Sequence, residues 1–200
     1  MKKIITINRQ FGSGGREIAK RLADVLQIAY YDKALINQIA EKTSFSPEFI
    51  AEASETMNFQ PLVFANTFAS NLLSPADTIQ IAQTEFIKEI AEKEDCIIVG
   101  RCANSILEDT AFKVFIYASD MDTRIERCYV KVPADQDMPR KKMEKQILAV
   151  DKQRAKYHSF TTGQEWFDMN NYDLCIDTSK MGVKKAVELI VCGYKLYFAE

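Results

Sequence analysis

The sequence predicts an α/β protein with three layers: a five-stranded parallel sheet with helices on both faces, and a helical lid. The first observation is that apolar runs typical of strands alternate with stretches of helical period along the chain. The second is that Cys96–Val99 is wholly apolar, as in a central strand covered on both faces. The third is that Ile4–Leu22 has the order strand, glycine-rich turn, helix. Right-handed crossovers are expected to join the strands.

The glycine-rich turn of Gly12, Ser13, Gly14 and Gly15 follows an alternating apolar run and opens an amphipathic helix. Glycines let the backbone turn tightly, so that successive N–H groups and the positive end of the helix dipole point at one anion. The order predicts a phosphate-binding loop. An ordinary tight strand-to-helix connection has the same pattern and stays open as the alternative.

This loop departs from the standard GxxxxGK[ST] motif. In the first register Arg9 stands at the first glycine, Gly15 at the lysine and Arg16 at the hydroxyl position. Shifting the register by one places Arg16 at the lysine, Gln10 at the first glycine and Glu17 at the hydroxyl that usually binds Mg²⁺. In both registers Arg9 and Arg16 bracket the loop, so they are the candidates for the missing positive charge.

A dinucleotide-binding GxGxxG motif uses the same glycines. Gly12 and Gly14 match it, but Glu17 occupies the third glycine. Asp32 lies about 20 residues further on, where a ribose-binding acid is expected. A dinucleotide-dependent oxidoreductase is therefore an alternative that rests on two of three glycines.

Asp32 ends the next predicted strand, Gln27–Tyr31, and precedes a predicted helix over Lys33–Lys42. In open α/β sheets the carboxyl ends of the strands face the ligand crevice. Asp32 is predicted to contact a ligand there, to cap the following helix, or to do both.

The middle of the chain contains a less regular segment. Pro47 predicts the start of another helix. Residues 53–76, which are rich in Phe, Asn, Ser and Thr and broken by Pro61 and Pro75, are predicted to form an excursion from the core. A long helix with a period of 3.6 is predicted over Ala76–Glu94.

Arg101 follows the central strand directly, after Gly100. It is either a surface residue or a fork for a phosphate or carboxylate, and its place at the same edge as the glycine loop favours the fork. The next predicted strand, Phe112–Ala118, leads into a helix with Arg124 and Arg127.

A strongly basic helix is predicted from Pro139, after a polar loop at residues 131–138. Most of its cations are expected to form a solvated face, whereas Lys152, Arg154 and Lys156 near its end are the candidates to close over phosphates, in a lid region over residues 133–163. Residues i and i+2 do not share a helix face, so at most two of the three are expected to act together. A fifth strand over Tyr172–Asp177 then leads through Thr178, Ser179 and Gly182 into the last helix.

Composition restricts the function classes. The chain has 200 residues, 47% of them hydrophobic, which suffices for one sizeable core and a single domain over residues 1–200. A net charge of −2 gives no basic field for nucleic acid, and the absence of a long apolar stretch predicts a cytoplasmic protein with no membrane contact. Assembly into a homo-oligomer stays open.

The metal-ligating and nucleophilic residue types are scattered. Five cysteines lack CxxC pairs, and most lie in apolar runs as reduced thiols do. His158 is the sole histidine, so nothing supports a Ser/His or Cys/His pair. No metal site is predicted.

Taken together, these stretches resemble the cytidylate kinase-like family, a divergent branch of the bacterial cytidylate kinases among the P-loop nucleoside monophosphate kinases. The resemblance covers nearly the whole chain and is carried, in order, by ITINRQFGSGGREIAKRLAD, AYYDKALI, IIVGRCANSIL, FKVFIYAS, VDKQRAKYHSFTTG and NYDLCIDTS. It implies a P-loop nucleoside-kinase fold with a phosphate loop at residues 12–17. It also implies an acceptor site near Asp32 and Arg101 and a basic lid around Lys152 and Arg154. In true cytidylate kinases the loop ends in Lys-Gly-Thr, where this chain has Gly15, Arg16 and Glu17.

The leading hypothesis from this resemblance is ATP-dependent phosphoryl transfer to a nucleoside monophosphate (CMP-like) or a related small acceptor. Mg²⁺ is expected to be held mainly by phosphates and water. An alternative is a nucleotide-binding regulatory protein that has lost kinase activity, because the loop lysine and threonine are absent. The predicted roles are as follows: phosphate binding by Arg9, Gly12, Ser13, Gly14, Gly15, Arg16 and Glu17; acceptor binding by Asp32 and Arg101; lid contacts by Lys152, Arg154 and Lys156; catalysis by Arg16, Arg101 and Arg154.

Overall fold

A computed structural model of the chain describes residues 2–32, 40, 46, 47, 75–133 and 137–199, with the side chains of residues 75 and 76 left aside. The predicted helices over Lys33–Lys42 and from Pro47 lie outside these residues except for positions 40 and 47, and nearly all of the predicted excursion over residues 53–76 also lies outside them. Within the described part of the chain, no helix is long and apolar enough to span a lipid bilayer.

Five parallel strands form one sheet, which confirms the predicted fold class. The strands are β1 (Ile4–Arg9), β2 (Ala29–Tyr31), β3 (Cys96–Val99), β4 (Ala111–Tyr117) and β5 (Leu174–Asp177). Their order across the sheet is β2-β3-β1-β4-β5, so the strand that leads into the glycine loop is central. Ile7 of β1 pairs with Val99 of β3 on one side and with Val114 of β4 on the other.

The helices follow the predicted periods closely. They are α1 (Gly15–Leu26), α2 (Pro75–Lys93), α3 (Ala103–Ile106), α4 (Met121–Tyr129), α5 (Arg140–Thr162) and α6 (Thr178–Tyr197), with a 3₁₀ turn at Met169–Asn171. The last helix consists of two helical stretches that meet at a kink, because Gly182 has a non-helical backbone with φ 74° and ψ 167°. The sequence predicts a turn at this glycine before the last helix, and the kink lies at that position. A positive φ of this kind is readily adopted by glycine.

Apolar clusters cover both faces of the sheet. Ile5 and Ile7 of β1 pack with α1 and α6 on one face. Ile4 and the β3 residues Cys96 and Ile98 pack with α2 and α3 on the other. Since both faces are buried, a central strand can be apolar at successive positions, which is the pattern seen in Cys96–Val99. The buried sheet therefore holds the residues that follow the strand ends in fixed positions.

The carboxyl ends of all five strands lie at one edge, because the strands are parallel. The glycine loop follows β1, Asp32 follows β2, Gly100 and Arg101 follow β3, and Thr178 follows β5. The polar residues that the sequence singled out are thus gathered by topology alone.

Candidate active site

The glycine loop between β1 and α1 requires its glycines. Gly12 and Gly14 have φ 78° and 83°, in the left-handed region that L side chains avoid. A Cβ at Gly12 would lie 2.9 Å from the carbonyl oxygen of Arg124, and one at Gly14 would lie 3.1 Å from a methyl carbon of Val183. The chain therefore passes close under α4 and α6 before it enters α1.

The carbonyl groups of the loop are held from behind by protein donors. The Ser13 carbonyl oxygen accepts hydrogen bonds from Arg127 Nη1 at 3.0 Å and from Thr178 Oγ1 at 2.7 Å. The Phe11 carbonyl oxygen accepts from Arg124 Nε at 2.8 Å. These acceptors would repel an anion, and their partners keep them turned away from the open side of the loop.

Asp151 of α5 completes this support. Its Oδ1 accepts a hydrogen bond from the Phe11 N–H at 2.7 Å, and its other oxygen pairs with Arg124 of α4. The side chains of Arg124 and Asp151 are only 5% and 8% exposed. We call this buried ion pair, with its two bonds to Phe11, the loop clamp.

Sequence reasoning missed the loop clamp and the role of Thr178. It placed Arg124 and Arg127 on one helix without assigning them a function. The available signal was their spacing, because residues i and i+3 share a helix face and this helix follows a strand end. Asp151 had no comparable local signal.

The N–H groups on the open side of the loop are left for a ligand. Among the described residues, the N–H groups of Gly12 and Gly14 donate no hydrogen bond, and Gly15 N–H makes a long one of 3.4 Å to Ser13 Oγ. They adjoin the N-terminus of α1, where the helix dipole favours negative charge. This geometry suits a phosphate group.

Three consecutive residues after β3 have a left-handed backbone: Gly100, Arg101 and Cys102, with φ 76°, 59° and 54°. This conformation costs about 1–2 kcal/mol for each non-glycine residue. Arg101 and Cys102 both line the pocket beside the loop. Burial raises the pKa of the Cys102 thiol to about 12, so the thiol is protonated and is not a nucleophile at neutral pH.

A pocket at this edge brings together four residues that the sequence had singled out: Arg9, Asp32, Arg101 and Arg154. His158 and Trp166 also line it. Lys152 and Lys156 are exposed and do not line it. The described part of the pocket thus combines three guanidinium groups with one carboxylate, which suits an anionic ligand.

Asp32 is held by arginines. Arg16 Nε lies 2.5 Å from Asp32 Oδ2, and Arg9 Nη2 lies 3.9 Å from Oδ1. The Tyr30 hydroxyl donates to Asp32 at 3.3 Å. Burial, and then the negative charge of Asp32, raise the pKa of Tyr30 to about 12, so this hydroxyl stays a donor. The carboxylate is therefore fixed in orientation at the pocket wall.

Arg154 of α5 connects the pocket with the loop. Its Nη1 donates to the carbonyl oxygen of Arg9 at 3.1 Å, and its guanidinium carbon lies 5.6 Å from the centroid of the Phe11 ring. Together with Asp151 one turn earlier, this contact attaches α5 to the loop at two points.

A buried polar network lies under the pocket. Asn8 Nδ2 donates to Asn104 Oδ1 and to the Tyr172 hydroxyl, each at 3.0 Å. Asn104 Nδ2 lies 3.3 Å from His158 Nε2, and His158 Nδ1 lies 3.2 Å from the carbonyl oxygen of Gln164. Since that carbonyl accepts, Nδ1 carries the proton and Nε2 accepts from Asn104. Burial lowers the pKa of His158, which favours the neutral ring.

The described residues contain no group of three or more His, Cys, Asp or Glu side chains placed to hold a metal ion. Glu17, at the position of the usual Mg²⁺-binding hydroxyl, is exposed and pairs with Arg21 at 2.6 Å.

Comparisons with known proteins agree with the fold and the resemblance. The model of the cytidylate kinase-like family matches residues 4–180. The crystal structure of an uncharacterized protein from Eubacterium ventriosum is 30% identical, covers 97% of this chain and 99% of its own, and has a TM-score of 0.73. No curated protein matches the sequence.

More distant structures share the fold alone. A shikimate kinase from Acinetobacter baumannii in complex with shikimate is 13% identical, with a TM-score of 0.55 over 100% of this chain and 96% of its own. A shikimate kinase from Bacteroides thetaiotaomicron is 14% identical, with a TM-score of 0.56 over 94% of this chain and 95% of its own.

Proposed function

The chain belongs to the cytidylate kinase-like family, and on that premise we propose that it transfers a phosphoryl group from ATP to a nucleoside monophosphate or a related small acceptor. One observation carries the proposal. The open N–H groups of a glycine loop and a pocket with three arginines and a fixed carboxylate adjoin each other at one sheet edge. A donor phosphate site beside an anion-binding acceptor site is the arrangement that phosphoryl transfer needs.

On the donor side, the N–H groups from Gly12 to Arg16 would hold the β-phosphate, with help from the dipole of α1. Arg16, on the first turn of that helix, would add positive charge from the outer side. Mg²⁺, held mainly by phosphate oxygens and water, would neutralise further charge. No lysine is required at Gly15 if arginines supply the charge.

On the acceptor side, Arg101 would bind the acceptor phosphate as a planar fork. Asp32 would orient the acceptor, since two arginines fix its carboxylate. Arg154 would cover the transferring group from α5, and the exposed Lys152 and Lys156 would add charge at the outer rim.

The proposed transfer is direct and requires no protein nucleophile. An acceptor oxygen forms a bond to the γ-phosphorus, the bond from that phosphorus to the β,γ-bridging oxygen breaks, and ADP leaves with the electron pair. An acceptor phosphate attacks as an anion and loses no proton. An acceptor hydroxyl would lose its proton, and Asp32, a carboxylate that lines the pocket, would receive it.

A second candidate function is nucleotide binding without transfer, in a regulatory role. The replacement of the usual lysine and hydroxyl by Gly15 and Glu17 favours it, as does the attachment of α5 to the loop through Asp151 and Arg154. This function predicts saturable nucleotide binding with no product from any acceptor.

The test is thermal stabilisation by ATP, CTP, GTP, NAD, the nucleoside monophosphates and shikimate, each with and without Mg²⁺. Shikimate is included because the Acinetobacter shikimate kinase of this fold was solved with it. A ligand at 100 times its Kd adds about 2.7 kcal/mol to the native state, which is about 5–10 °C in Tm for a chain of this size. Every stabilising donor and acceptor pair is then assayed for a phosphorylated product.

The outcomes separate the candidates. ATP stabilisation with a new phosphorylated product supports the kinase and identifies its acceptor. Stabilisation without product supports the regulator. Stabilisation by NAD in preference to ATP supports the oxidoreductase, and no shift with any nucleotide contradicts all three.

A further inference from the structure

Gly15 lies directly against the stem of Arg9. A Cβ at Gly15 would be 2.5 Å from the Cβ of Arg9 and 3.0 Å from its Cγ, closer than carbon atoms in proteins approach. The Arg9 Cβ is fixed by the backbone, so a change of rotamer cannot relieve this contact. Gly15 is the first residue of α1 and has no left-handed φ. Position 15 therefore has to be glycine for steric reasons, because the Arg9 side chain occupies the space that a Cβ would need.

Gly100 lies at the other end of the same side chain. A Cβ at Gly100 would overlap Nη1 of Arg9. The Arg9 side chain thus runs from Gly15 to Gly100 between two glycines and is only 12% exposed. Arg9 lines the pocket, and its guanidinium lies beside Gly100, with Nη2 3.9 Å from Asp32 Oδ1.

We propose that Arg9 replaces the missing loop lysine, as one half of an exchange of side chains between positions 9 and 15. In GxxxxGK the first position is glycine and the seventh is lysine. Here the first position is Arg9 and the seventh is Gly15. Compared with the motif, the cation is at the first position of the loop instead of the seventh. Arg9 has space because Gly15 has no side chain, and a lysine at position 15 would need a glycine at position 9.

The exchange rests on the proposed function and extends it, because it names the cation nearest the transferring group. The stem of Arg9 packs against the glycine loop at Gly15, and its guanidinium lines the adjoining pocket, so its charge would act where negative charge is shared in phosphoryl transfer. Arg16 differs from it in burial. Its side chain is 46% exposed and contacts Asp32 from the outer side. A buried guanidinium interacts more strongly with a phosphate than an exposed one, since water screens it less.

The experiment measures the Kd of Mg·ATP by titration calorimetry for the unaltered chain and for five variants, with the Tm of each protein as a folding control. Arg9→Met keeps an apolar stem and removes the charge. Arg9→Gly with Gly15→Lys restores the first glycine and the lysine of the motif, with Arg16 still at the hydroxyl position, and Gly15→Lys alone introduces the overlap. Arg16→Ala tests the outer cation, and Arg21→Met is the matched control, because Arg21 is an exposed arginine of the same helix.

Arg9→Met is expected to weaken ATP binding about 10- to 100-fold, the range for losing a charge-assisted hydrogen bond. Arg16→Ala should weaken it less, and Arg21→Met should leave it unchanged. Gly15→Lys alone should lower the Tm and weaken ATP binding. The double variant should bind ATP within about threefold of the unaltered chain, because the lysine then has both its space and its role.

Each outcome bears on the inference. ATP binding by the unaltered chain and equally by Arg9→Met overturns the exchange and leaves the proposed function standing. A folded double variant that binds ATP no better than Arg9→Met also overturns it. If the double variant does not fold, the comparison of Arg9→Met with Arg16→Ala decides, and an equal or larger loss for Arg16→Ala overturns it. No ATP binding by the unaltered chain overturns the proposed function and this inference with it.

Discussion

Removal of the Asp151 carboxylate should destabilise the fold strongly. The Asp151→Ala variant leaves the Arg124 guanidinium charged and only 5% exposed, with no carboxylate beside it, and removes the acceptor of the Phe11 N–H. Breaking a buried ion pair in this way costs about 3–5 kcal/mol. For a chain of this size the cost corresponds to a decrease in Tm of about 6–20 °C.

The chain offers a matched control between the same two helices. Asp122 of α4 pairs with Arg140 of α5, but their side chains are 67% and 54% exposed. Asp122→Ala removes the same group from an exposed pair and from the first turn of a helix, which together amount to about 1 kcal/mol. Both variants are measured by urea denaturation, with the m-value as the check that the unfolding transition is comparable.

Equal losses in the two variants would refute the assignment of a buried clamp. A second arm tests whether the charge left behind is the cause. Replacing the pair by Arg124→Met with Asp151→Leu should recover much of the stability lost in Asp151→Ala, because no buried charge is then unpaired. Recovery is expected to be partial, since the hydrogen bonds to Phe11 are still lost.

The other predictions concern turnover, pH and backbone strain. Arg16→Ala should lower the rate of product formation at least tenfold, and Lys141→Ala, an exposed cation of α5, should leave it nearly unchanged; equal rates would contradict the role of Arg16. Because burial lowers the pKa of His158 below its ordinary 6.5, the folded state is most favoured above that pH, and stability should fall as the pH decreases from about 6.5. His158→Gln should flatten this part of a curve of unfolding free energy between pH 7 and 5, and an unchanged slope would contradict it. Gly12→Ala should cost more stability than Gly182→Ala, because both have a left-handed φ but only the first would also meet a backbone oxygen at 2.9 Å; urea unfolding distinguishes them.

The residues at the carboxyl-end edge of the sheet could be predicted from the sequence, because the end of a strand is recognised from the local sequence alone. Runs such as Cys96–Val99 identify the strands, and parallel topology then brings Asp32 and Arg101 to the same side. The presence of Arg154 in the pocket, without Lys152 and Lys156, agrees with the rule that positions i and i+2 do not share a helix face.

Contacts that depend on the path of the loop could not be predicted from the sequence. Arg124 and Asp151 lie 27 positions apart on different helices, and nothing local marks them as partners. The meeting of Arg9 with Gly15 depends on how tightly the loop returns to the end of β1, which follows from the left-handed backbone at Gly12 and Gly14. The sequence motif shows two separate departures, at positions 9 and 15. The structure shows that these two positions lie against each other, which the motif alone does not reveal.

The residues that hold the loop in place differ from the residue that supplies its positive charge in the standard motif. Arg124, Arg127 and Thr178 hold the loop carbonyl groups at the back, so the N–H groups face forward whether or not a lysine is present. The loop is therefore preorganised for the anion binding proposed above, and that proposal does not depend on the usual lysine.

The turn after β3 bears on the proposed acceptor site. The left-handed backbone at Arg101 and Cys102 costs about 1–2 kcal/mol for each residue. Such strain persists where the surrounding structure enforces it, and it concentrates at active sites, ligand clamps and switch regions. Here it lies in the wall of a pocket with three arginines and a fixed carboxylate, beside the loop. The strained turn after β3 therefore supports the proposed ligand site beside the loop, which phosphoryl transfer to an anionic acceptor requires.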